Sequence, residues 1–112
     1  MPAFLASTFL TSLLPQIAAS EARSRAVELA RSTGEVIGAA MACDVPDERL
    51  IAIGKEVIGR VREAARSPRE VGQARKAHEA AVKRASDPVP TNCPEAIRLF
   101  EELERDVTAE KV

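Results

Sequence analysis

Four stretches of this chain place apolar residues at alternating steps of three and four, and prolines or short polar runs separate them. Steps of three and four follow the 3.6-residue period of an α-helix, so each stretch reads as one helix with one apolar face. The first runs roughly from Ser20 to Ala42, with Val27, Ala30, Gly34, Ile37 and Met41 on the stripe. Ala30, Gly34 and Gly38 keep that face small. A glycine inside a helix costs about 1 kcal/mol against alanine, so two on one face predict a neighbouring helix at close approach.

Cys43-Asp44-Val45-Pro46-Asp47 is the first break, with Asp44 placed to cap the second helix. Leu50, Ile53, Val57, Val61 and Ala64 carry the second stripe to about Arg66. Ser67-Pro68-Arg69-Glu70 has the form of a capping box: serine caps forward, glutamate reaches back, and proline takes the first helical position. The third stripe is Val71, Ala74, His78, Val82 and Ala85. Residues 86–92 carry two prolines and make a loop; Asn92 then caps a fourth helix bearing Ile97, Phe100, Leu103 and Val107. Thr108 to Val112 reads as a frayed tail. No segment alternates as a strand would.

These stripes predict an all-α protein, an up-and-down four-helix bundle spanning residues 21–107. Short connections make consecutive helices antiparallel neighbours. Val27, Ile37, Leu50, Ile53, Val57, Val61, Val71, Val82, Ile97, Phe100 and Leu103 form its expected core. A chain of 112 residues holds one domain and buries only about two-thirds of the surface it exposes when unfolded, so one covalent staple would count. The topology supplies one. Helix one ends where helix four begins, which brings Cys43 and Cys93 to one end of the bundle, and a disulfide between them is expected. A disulfide persists in an oxidising compartment.

Residues 1–20 stand apart. They contain no Asp, Glu, Lys or Arg, and an apolar run (Phe4, Leu5, Phe9, Leu10, Leu13, Leu14) leads to Pro15 and the small residues Ala18-Ala19-Ser20. This is the layout of a secretory signal peptide cut after Ser20 or Ala19, although the run lacks a basic residue ahead of it. It is short of the ~20 apolar residues that a membrane span needs. Periplasmic or secreted location follows. The other reading is a cytoplasmic subunit of a homo-oligomer or larger assembly that keeps residues 1–20 as an interface helix. If the segment stays on the chain, residues 3–14 are expected either to project as an apolar helix, as a retained signal segment would, or to pack on another copy.

Charge excludes more than it selects. Sixteen basic and seventeen acidic residues leave a net charge of −1, and the signs are interleaved, as at Glu56, Arg60, Arg62 and Glu63. Without a basic excess, and with no Trp or Tyr to stack on bases, nucleic-acid binding is not expected. His78 is the sole histidine; with Met41 it could ligate a haem, but each is equally a core residue, and no Cys-x-x-Cys-His attachment signal occurs. Two cysteines and one histidine are too few for a zinc site. Glu101, Glu102, Glu104 and Asp106 share a helix with Arg98 and Arg105, which makes a solvated face with ion pairs between turns. No catalytic, metal or cofactor residues are expected, and the chain reads as a non-enzymatic protein that binds a protein partner or itself.

The run from Cys43 to Leu103 (Cys43-Asp44-Val45-Pro46, then Glu56 to Arg66, then Asn92-Cys93-Pro94-Glu95-Ala96) resembles a group of small exported helical proteins of alphaproteobacteria. The resemblance implies a signal peptide, one cysteine closing a helix and a second opening the last. It implies no activity and no site residues.

Overall fold

The structure, a computed structural model, describes residues 25–109. Residues 1–20 and their expected roles lie outside the described residues. All described secondary structure is helical: α1 at 25–42, α2 at Asp47–Ala64, α3 at Pro68–Ser86 and α4 at Cys93–Ala109. The fourth helix thus includes Thr108, whose hydroxyl donates to the Glu104 carbonyl at 2.7 Å.

The helix ends follow the sequence with one correction. Ser67 accepts from the Glu70 N–H at 3.1 Å, and Glu70 reaches back to the Arg66 N–H at 3.1 Å, one residue beyond the position a standard box closes. Asn92 accepts from the Glu95 N–H at 3.1 Å as expected. Asp44, however, does not cap α2, whose N-cap position is Pro46 without a side-chain bond. Asp44 instead takes a left-handed backbone, φ 67°, and terminates α1. Its N–H bonds to Met41 O, and the Val45 N–H bonds to Ala40 O, the paired bonds of a Schellman motif. Val45 and Ala40 are both buried, the apolar contact that accompanies that motif.

Helix directions alternate. Gly34 lies against His78 and Ala81, and Gly38 against Val82 and Ala85, so α1 and α3 run in the same sense. Arg49 reaches Glu104 while Arg60 reaches Val107, so α2 and α4 share the opposite sense. α2 packs on both α3 and α4, but α3 and α4 do not pack on each other. Consecutive helices three and four are therefore not neighbours, contrary to the expectation from loop lengths. The cause is the glycine face of α1. A Cβ at Gly34 would stand 2.8 Å from the His78 carbonyl oxygen, and one at Gly38 2.9 Å from the Val82 Cα. With no Cβ there, α3 sinks onto α1, and the α1–α2 pair separates it from α4.

The core draws on every helix. Ala26, Ala30, Ile37 and Ala40 of α1 meet Leu50, Ile53, Val57 and Val61 of α2, Ala74 of α3, and Phe100 and Val107 of α4. Of the eleven residues expected in the core, Ile37, Leu50, Ile53, Val57, Val61 and Phe100 are buried. Val27, Val71, Val82, Ile97 and Leu103 are half-buried. Met41 departs from its stripe and is 43% exposed, while Ile37 and Ala40 of the same helix end are buried. Phe100 is the one fully buried aromatic side chain among the described residues, and the Arg49 guanidinium sits 5.4 Å from its ring centroid.

Candidate functional site

Cys43 and Cys93 stand at disulfide-bonding distance, with their Cα atoms 5.5 Å apart although they are 50 positions apart in sequence. That separation lies within the range a disulfide spans. The end of the Schellman turn of α1 and the first residue of α4 position the two sulfurs, so the link depends on helix-end geometry rather than on a flexible loop.

His78 and Met41 do not come together. The His78 Nδ1 lies 3.0 Å from Ala30 O on α1. A carbonyl oxygen only accepts, so Nδ1 donates the hydrogen. Met41 is eleven residues further along α1, about 16 Å at 1.5 Å per residue, which separates it from His78. One haem or metal ion cannot take both. The structure gives His78 a packing role at the close α1–α3 contact.

The carboxylates of α4 divide into two groups. Arg98 bonds Glu95 at 2.9 Å and Glu102 at 2.5 Å along the exposed face, as the sequence reading expected. Hydrogen bonding to Arg98 holds the Glu95 carboxyl below its ordinary range, and the same carboxylates raise Arg98. Glu104 instead crosses to Arg49 of α2, with contacts of 3.0 and 2.5 Å, and raises the arginine's pKa. The sequence could not show that pairing, since its partner is 55 residues away.

The best-defined concavity among the described residues opens between α1, α2 and α4, at the end of the bundle away from the cysteines. Its volume is about 210 Å³. Leu29 and Thr33 of α1, Val57 and Arg60 of α2, and Leu103, Asp106 and Val107 of α4 line it. Ligand pockets for drug-sized molecules run to about 300–1,000 Å³, so this one suits a group the size of one large side chain. Most of its wall is methyl groups. The Thr33 hydroxyl donates to Leu29 O at 2.7 Å, within its own helix. Arg60 donates through Nη2 to Val107 O at 2.9 Å, satisfying a carbonyl in the last turn of α4. Asp106 adds a carboxylate to the edge. The arrangement can enclose a small apolar group beside charged atoms, but it sets no nucleophile against a base.

None of these pocket residues was singled out as a site in the sequence. Leu29 and Thr33 lie beside the α1 stripe and are four residues apart, and Leu103 and Val107 repeat that spacing on α4. The signal is real but common to helix edges, and only packing shows that the two pairs converge. No protein-family model, curated protein or solved structure matches this chain.

Proposed function

We propose that this chain is an exported, non-enzymatic helical binding protein, periplasmic or secreted, whose mature domain begins near residue 21. The observation that carries the reading is the Cys43–Cys93 pair at disulfide distance. A staple joining α1 to α4 is useful to a small domain and persists where thiols are oxidised. The charge-free run over residues 1–20 supports the same reading from independent residues. The pocket between α1, α2 and α4 supports binding, since it offers an apolar wall to a group the size of one large side chain.

The test is intact-mass analysis of the full reading frame expressed in a Gram-negative host, with thiols alkylated before and after reduction. The expected result is loss of nineteen or twenty N-terminal residues and no alkylation until reduction. An uncut chain with two reactive thiols, eluting as a stable oligomer, would overturn the reading in favour of the cytoplasmic subunit that uses residues 1–20 as an interface. Exposed Met41, Ile51 and Leu99 are the apolar surface on which such an assembly would draw.

A further inference from the structure

At the α2–α3 turn an open groove runs past Arg62, Ala65, Arg66, Ser67, Pro68 and Val71. Its floor is apolar, with Ala65 and Val71 half-buried. Its margin brings two arginines to one groove. Arg31, Arg49, Arg84 and Arg98 take carboxylate partners, while Arg75, Lys76, Lys83 and Arg105 are exposed and, among the described residues, enter no ion pair. Arg62 and Arg66, and Arg69 close by, are exposed, and among the described residues none of the three enters an ion pair.

The nearby carboxylate of Glu70 does not compete for the guanidinium groups. It is 6% exposed, and its Oε2 accepts from the backbone N–H of Arg66. The helix terminus adds little of its own. Pro68 has no N–H, and the Glu70 and Val71 N–H groups are already closed by the Ser67 Oγ and Ser67 O. What the groove offers is two guanidinium groups and the hydroxyl hydrogen of Ser67, whose oxygen lone pairs face the helix. Two positive charges with several directed donors match a dianion with several oxygens better than a monoanion.

We propose that this groove binds the phosphate group of a small soluble ligand, held between Arg62 and Arg66. Neither export nor the pocket lined by Val57 and Arg60 enters into this binding. The probe is inorganic phosphate at pH 7.5, titrated into ¹⁵N-labelled protein at constant ionic strength set with chloride. The expected result is saturable shifts confined to the amides of residues 62–71 and the Nε–H signals of Arg62 and Arg66. An Arg62→Gln/Arg66→Gln variant should weaken binding at least tenfold while its amide spectrum elsewhere and its melting temperature stay in place. A Lys76→Gln/Lys83→Gln variant, altering exposed cations elsewhere on α3, should leave binding unchanged. Shifts that never saturate, shifts spread over all cations, equal binding of acetate, or full binding by the arginine variant would each overturn it.

Discussion

Adding one methyl group at Gly38 tests the α1–α3 contact on which the helix arrangement rests. Alanine inside a helix is favoured over glycine by about 0.8–1 kcal/mol, so a substitution with free space should stabilise the protein. At Gly38 the space is taken by backbone. The new Cβ would meet the Val82 carbonyl oxygen and lie 2.9 Å from the Val82 Cα and 3.0 Å from the Ala85 Cβ. Backbone atoms cannot rotate aside, so α3 itself must move. Overpacking of this kind costs about 1–3 kcal/mol, which exceeds the propensity gain and leaves a net loss on the order of 1–2 kcal/mol. Gly54, Gly59 and Gly72 are internal controls, since a Cβ at any of them meets nothing within 4 Å. Gly54→Ala and Gly72→Ala should each gain about 0.5–1 kcal/mol. For a domain this size 1 kcal/mol is about 4–8 °C, so Gly38→Ala and Gly54→Ala should melt roughly 10 °C apart, on opposite sides of the parent. Circular dichroism melts at 222 nm read this directly. Should Gly38→Ala rise with Gly54→Ala, α3 does not lie on the glycine face and the arrangement is wrong.

Three further outcomes follow from the helix ends and ion pairs. Cys93→Ser should lose about 2–4 kcal/mol in thermal or urea unfolding, and its melt should match that of the parent under reductant; an unchanged melt would mean the link contributes nothing. Asp44→Gly should raise the melting temperature by a few degrees, because glycine adopts the left-handed backbone of the α1 terminus without the ~1 kcal/mol cost borne by a side chain, whereas Asp44→Val should lower it. Glu95 and Glu28 are held below their ordinary carboxyl range by hydrogen bonds from Arg98 and Arg31. Each contribution is therefore present above the unfolded carboxyl pKa near 4.3 and fades as pH falls through the lower folded value. Melting curves between pH 6 and pH 2.5 should show Arg98→Gln with a shallower acid-dependent loss than the parent; parallel curves would show that this exposed pair carries no linkage.

What the sequence determined by itself is local. A helix is written in the spacing of its apolar side chains and in the atoms that close its ends. Ser67 with Glu70, and Asn92 before Glu95, act over three or four residues and could be read without the fold. Alternating helix directions followed from short connections, and with them the meeting of Cys43 and Cys93, because two helix ends at the same end of a bundle need no knowledge of side-chain contacts. Asp44 shows the limit of local reading: the same residue type serves a helix start or a left-handed stop, and only the backbone decides. Tertiary structure alone decided which helices touch. Glycines predicted that something comes close to α1, but not that it is α3, nor that α3 and α4 are thereby kept apart. It also decided the pocket and the Arg49–Glu104 clasp, since both join residues from different helices whose rotation about their axes is set by packing. Helix existence is an interaction between near neighbours; a site is a coincidence of faces, and that is fixed by the sum of all contacts in the core.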